Sequence, residues 1–412
     1  MKTKGFTANF TRDRAMLGAL AGSLVAQGML VISGPATARL LGVAGRGRLA
    51  LLVIIVTITG QVAAVGLPTA VAYVTSSMGI SAAQLLQLLA RTWLSLCLSA
   101  AAVAAAVAFL VSRSDQSGSG WLEPLLTSLY VVSYMNFALM FACLQGERRY
   151  APMNWLRIAN ASLSAILLFT LLALLHHTSV RVVFGTLLVS NVVATTLGAF
   201  LVRTRARRPS AATGVSLRSL LRFGLAALPA ANAPLETLSL DQAVVGAILP
   251  RSQLGLYVVA AAFDNLPSIL IGAYGSVALT RITAETDLRA RRAVIRRVAI
   301  SAVWIAGAAS LIAEAVVGWL LPVAFGASFS AAIAVARVLI VAGFLLSCRR
   351  ILVVFLQAAG RPGRTATGEV IALVTLILTA IILVPLLGLF GAAWALVLAA
   401  LVADAYLLWT LK

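Results

Sequence analysis

ARLLGVAGRGRLALLVIIVTITGQVAAVGLPTAVAYVTSS, residues 38–77, sets Arg39, Arg46 and Arg48 between two long apolar runs. Each run approaches the roughly 20 residues needed to cross hydrocarbon as a helix. An arginine at the centre of such a helix costs about 2.5–3.5 kcal/mol on insertion scales. Three of them around a glycine-rich turn suggest a wet, anion-facing site. The plainer reading is a short exposed loop whose charges sit at the lipid head groups. The three arginines alone do not separate the two.

Outward from this stretch, the same pattern recurs along all 412 residues. The chain is 61% hydrophobic and 11% charged, against about 25% charged in a soluble domain, and its mean hydropathy is +1.01. Twelve apolar segments of bilayer-spanning length follow one another. The first six run over about 15–37, 49–75, 88–111, 122–144, 153–175 and 182–202. The second six run over about 223–249, 256–280, 296–320, 331–356, 370–387 and 391–411. The fold class is an all-α polytopic membrane protein. Most connections are short, except the basic stretch 203–222 and the charged stretch 281–295.

The net charge of +20 resembles the footprint of a nucleic-acid binder, but the basic residues are distributed by side. With the N-terminus inside, 25 of the 32 Lys and Arg residues fall on cytoplasmic segments and 6 on outer ones, with Arg337 inside a helix. This asymmetry is the positive-inside rule. It places both termini in the cytoplasm and accounts for the basic pI without nucleic acid.

LQGERR at 144–149 is matched by LQAAGRPGR at 356–364, with Gln145 and Gln357 212 positions apart. At a similar offset GRGRLALL faces QLGLYVV. Each half has six helices, an even number. The halves are therefore parallel repeats about an axis along the membrane normal, an arrangement that places substrate between them near the midplane. The expected organisation is an N-terminal lobe over 1–202, a linker over 203–222 and a C-terminal lobe over 223–412.

Several chemistries are excluded or disfavoured. Cys97, Cys143 and Cys348 lie in or beside apolar segments without metal-binding or CxxC spacing, and read as small apolar side chains. No GxxxxGK[ST] loop is present, which excludes an ATPase of the P-loop kind. His176 and His177 form an adjacent pair in a short loop, an interfacial position rather than a metal site. The run 15–32 exceeds a typical signal-peptide core, so it reads as a retained first helix, although Ala36-Thr37-Ala38 resembles a cleavage site. No cofactor or metal is expected.

The ionisable residues placed inside spans are Glu236, Asp241, Asp264, Glu314, Arg337 and Asp404. Such groups face a bundle interior or a water-filled cavity. Glu236 and Asp241 share a helix with Pro229 and Pro234, which should break it and free backbone carbonyls. Asp264 precedes Asn265 and Pro267. A carboxylate beside a broken helix suits a proton or cation site, which makes Asp241, Asp264 and Glu236 candidate coupling carboxylates. Interhelical hydrogen bonding for structure is the equal alternative. Arg337 either pairs with a carboxylate or binds phosphate through its planar fork. Glu314 has no evident partner in the sequence.

Taken together, ARLLGVAGRGRLALL, GLPTAVAYV, QLGLYVVAAAFDNLP, LPVAFGASFSAAIAVARVLIVAGFLL and LQAAGRPGR resemble the polysaccharide-biosynthesis, O-antigen-type flippases of the multidrug/oligosaccharidyl-lipid/polysaccharide (MOP) exporter superfamily. The resemblance covers roughly residues 16–411. It implies two six-helix lobes in a V, alternating access, and location in the bacterial cytoplasmic membrane. The implied substrate is an undecaprenyl-diphosphate-linked oligosaccharide moved from the inner to the outer leaflet, with a polysaccharide polymerase and glycosyltransferases as implied partners. Arg39 in ARLLG matches the AR-x-x-G context of a cavity-facing arginine in the related lipid II flippases. Arg337, Arg46 and Arg48 join it as candidate diphosphate ligands. Thr280 stands where the resemblance leads one to expect proline.

Competing readings are a cation-coupled drug exporter of the same superfamily, which Asp241 and Asp264 favour, and a membrane glycosyltransferase or polymerase. The latter needs a large outer loop, and the longest here are about ten residues, 112–121 and 321–330. A major-facilitator transporter would carry a Gly/Asp/Arg-rich loop where SSMGISAAQ stands.

Overall fold

A computed structural model describes residues 3–114, 121–175, 177–203, 216–231, 238–284, 287–359 and 361–411. Among them are thirteen α-helices, one short 3-10 turn and no strand. Ten segments within them are long and apolar enough to cross a membrane, and the chain is a multi-pass membrane protein. The twelve expected segments appear in order, but some are joined and others divided.

The first expected turn is not a loop. Two helices meet there at a kink and together form α1 (Thr3–Ala63), with helical geometry broken at Gly42, where φ is +65°. Glycine enters this left-handed region without the Cβ penalty that other residues meet. Gly45 and Gly47 stay helical, so of three glycines only one makes the bend. The second expected segment divides between α1 and α2 (Leu67–Met78) at Val65 and Gly66, both at positive φ. Next come α3 (Ala82–Ser114), α4 (Leu122–Gly146), α5 (Tyr150–Leu175) and α6 (Val180–Arg203), which match expectation. The seventh segment is two helices, α7 (Leu217–Ala231) and α8 (Leu240–Ile248). Residues 204–215, within the expected linker, and 232–237 lie outside the described residues. The remaining helices are α9 (Arg251–Ala284), α10 (Leu288–Phe325), α11 (Ile333–Ala358), α12 (Pro362–Leu387) and α13 (Leu389–Leu411). Helix α9 continues through Thr280, consistent with the absence of proline there.

The internal repeat is written into backbone hydrogen bonds. At the end of α4, Glu147 N–H donates to Cys143 O at 3.0 Å and Arg149 N–H to Leu144 O at 2.9 Å. At the end of α11, Ala359 N–H donates to Phe355 O at 2.9 Å and Arg361 N–H to Leu356 O at 2.9 Å. Every partner is displaced by 212 positions. An arginine after each helix then caps another: Arg149 Nη1 donates to Leu201 O at 2.7 Å near the end of α6, and Arg364 Nη1 to Thr410 O at 2.6 Å near the end of α13. Carbonyls in a last helical turn lack intrahelical donors, so each cap also ties neighbouring helices together.

Two compact units result. One comprises Met1–Ser33 and Leu52–Ala231, the other Gly34–Leu51 and Asn232–Lys412. In the first, α4 packs on α2, α3 and α6, and α2 on α7. In the second, α11 packs on α9, α10 and α13, and α12 on α13. The segment 34–51 of α1 enters the second unit through a tight crossing. A Cβ on Gly47 would lie 1.8 Å from Arg251 O, and one on Gly255 would lie 2.0 Å from Val43 O. Only glycine lets two backbones approach so closely.

Candidate functional site

Arg39 lies three residues before the Gly42 bend, with its side chain exposed. Its Nε donates to Ala324 O at 2.9 Å, and its Nη2 donates to Val323 O. Both carbonyls belong to the last turn of α10, where partial negative charge accumulates. Two of its five N–H donors are thus committed, and three remain available. Arg46 and Arg48 are half-buried on the helical continuation of α1. The Arg46 Nε is buried without a hydrogen bond among the described residues. Glycine-rich sequence suggested a solvated loop for this pair; the structure places them along a helix instead.

Arg337, one turn into α11, pairs with Glu314 of α10, Nε to Oε1 3.1 Å. The partner missing for Glu314 in the sequence is therefore Arg337. Both side chains remain open, at 57% and 41% exposure. Glu314 lies eleven residues before Phe325 at the helix end, about 16 Å along the axis at 1.5 Å per residue. That is about half the ~30 Å thickness of hydrocarbon. Charged groups this far inside a span pair with one another or face a bundle interior or a water-filled cavity, and the exposure of both side chains favours the last.

The candidate carboxylates behave differently. Asp241 and Asp264 are 5% and 7% exposed, and Tyr257, fully buried, lies between them in sequence. Tyr257 and Asp264 are seven apart on α9, two turns along one face. The Tyr257 hydroxyl is buried without a hydrogen bond among the described residues and lies within electrostatic reach of both Asp241 and Asp264. The structure thus brings Asp241 and Asp264 together around a tyrosine that the sequence reading missed; the i, i+7 spacing on α9 was its available signal. Glu236 lies outside the described residues. Asp404 is also buried, and its charge acts on Cys348. A further buried pair, Arg349 Nη1 to Glu369 Oε2 at 3.5 Å, links α11 to α12. Among the described residues no group of three His, Cys, Asp or Glu could hold a metal ion.

No protein-family model matches the chain, and no curated protein sequence does. Solved structures do match in fold. The lipid II flippase MurJ, in an inward-closed conformation, superposes with a TM-score of 0.75 at 12% identity, over 95% of this chain and 87% of that one. A multidrug-resistance MATE-family transporter of the MOP superfamily matches in its inward-facing conformation, with a TM-score of 0.64 at 16% identity, over 96% and 97% of the two chains. In an outward-facing conformation the values are 0.63 and 16%, over 96% and 94%. The fold is the one that these transporters share.

Proposed function

We propose that the protein is a flippase for an anionic, lipid-linked saccharide, with a polyprenyl diphosphate as the constant part of its substrate. The observation that carries this reading is the pair of exposed arginines on the second unit, one at the end of α10 and one deeper beside it. Arg39 is exposed, and Arg337 is more than half exposed beside a single glutamate. The acids Asp241 and Asp264 are buried in helix packing. A saccharide varies, but its diphosphate does not, and arginine's fork is the side chain suited to reading it. The inner-to-outer direction, the cytoplasmic-membrane location and a place among glycosyltransferases and a polymerase follow from the same reading.

A second reading has one observation in its favour. The buried Asp241–Tyr257–Asp264 cluster suits a proton or sodium ion, as a cation-coupled small-molecule exporter would require. Purified protein in liposomes separates the two: flipping of a fluorescent polyprenyl-diphosphate saccharide supports the first, and efflux of organic cations without lipid flipping supports the second.

A further inference from the structure

The first unit contains a cavity of about 1220 Å³ between α2, α4 and the start of α5. We infer that this cavity is the entry site for the substrate's diphosphate head group, with Arg148 and Arg157 as its anion ligands. The inference rests on the flippase reading above and adds a site distinct from Arg39 and Arg337.

Charge makes the first argument. Arg148 and Arg157 both line the cavity, and no carboxylate is among its described lining residues. An organic cation would find no counter-charge there; a diphosphate finds two guanidinium groups. The walls are aromatic, formed by Tyr73, Tyr134, Phe137 and Phe141. The Arg157 guanidinium stacks 4.8 Å from the Phe141 ring centroid, and Gln61 holds the Tyr134 hydroxyl at 2.9 Å. From Tyr134 to Gln145 the lining of α4 extends eleven residues, about 16 Å along the helix. That length accommodates a diphosphate and its first sugar rings, whose apolar faces stack on aromatic side chains. By the positive-inside count this end opens to the cytoplasm, the side from which the substrate must load.

The backbone makes the second argument. Arg148 has φ of +57°, a conformation that ordinarily selects glycine at a helix end. At the corresponding position of the repeat, 212 residues on, the sequence has Gly360. The two helix ends share the same hydrogen bonds, so the repeat does not need arginine to close the turn. Arg149, next to it, serves as the cap on α6. Among the described residues the Arg148 side chain makes no hydrogen bond or ion pair. Its presence in a strained position, beside a cavity of matching sign, is explained by a ligand.

Arg148→Gly tests this directly, because the substitution relieves backbone strain while removing the guanidinium. Full-length protein in nanodiscs is titrated with undecaprenyl diphosphate, undecaprenol and inorganic pyrophosphate, with thermal unfolding measured in parallel. The expected result is binding of undecaprenyl diphosphate but not undecaprenol, weakened about tenfold or more in Arg148→Gly. The melting temperature stays unchanged or rises, and Arg148→Lys retains part of the affinity. Wild-type affinity in Arg148→Gly overturns the site, even if the protein flips lipid. Equal affinity for pyrophosphate and the lipid overturns the lipid head group as its occupant in favour of a free phosphate compound. Binding that depends on Arg148, in a protein that flips no lipid, upholds the site and defeats the flippase reading.

Discussion

Removing either member of the Arg337–Glu314 pair measures whether that face of the second unit is wet. The separation is 3.1 Å, and the side chains are 57% and 41% exposed. In water such a pair contributes about 0–1 kcal/mol, so Arg337→Ala and Glu314→Ala should each destabilise by less than about 1 kcal/mol. Against lipid, the survivor would be an unpaired charge near mid-depth, at about 2.5–3.5 kcal/mol on insertion scales. The double substitution would then recover much of the loss. The assay is unfolding of the purified variants in nanodiscs, with membrane protein level and lipid export measured alongside. The account requires near-normal stability and level in all three variants, with export lost in Arg337→Ala. A large loss in each single variant, rescued in the double, would refute it by placing the pair against lipid as a structural tie.

Much of this fold was legible in the sequence, because length and apolarity alone decide what spans a bilayer. The repeat was legible too: Gln145 and Gln357 mark helix ends that close with equivalent hydrogen bonds. Backbone breaks were less legible. Gly42, Gly45 and Gly47 look alike in sequence, yet Gly42 bends the helix and Gly47 packs against Arg251 and Gly255. Helix-to-helix partners were least legible. Arg337 and Glu314 meet across a hairpin whose register no local pattern fixes, and the grouping of 34–51 with the second unit is a tertiary fact. Asp241, Tyr257 and Asp264 required the same knowledge of packing.

Other expectations follow from the same structure. Gly47→Ala places a methyl where a Cβ meets Arg251 O at 1.8 Å; it should destabilise by about 1–3 kcal/mol or more, whereas Gly185→Ala, with nothing within 4 Å, should be neutral in the same melt. Single cysteines at 116 and 210 should label from outside and inside respectively; labelling of 210 by an impermeant reagent in intact cells would reverse the topology. Arg39→Lys keeps the charge but loses the fork, so it should impair export less than Arg39→Ala, read by complementation at matched protein level.

The charge carried across the membrane is the most direct test of the whole account. Proteoliposomes with a clamped potential and no ion gradient should show net flipping of a labelled polyprenyl-diphosphate saccharide away from the negative side, reversing when the potential is reversed. The potential supplies about 2.3 kcal/mol per charge per 100 mV, and Asp241→Asn should alter the rate without abolishing the response. Flipping that ignores the sign of the potential, or that appears only with a proton or sodium gradient, would contradict an anionic substrate driven by voltage and read by arginine.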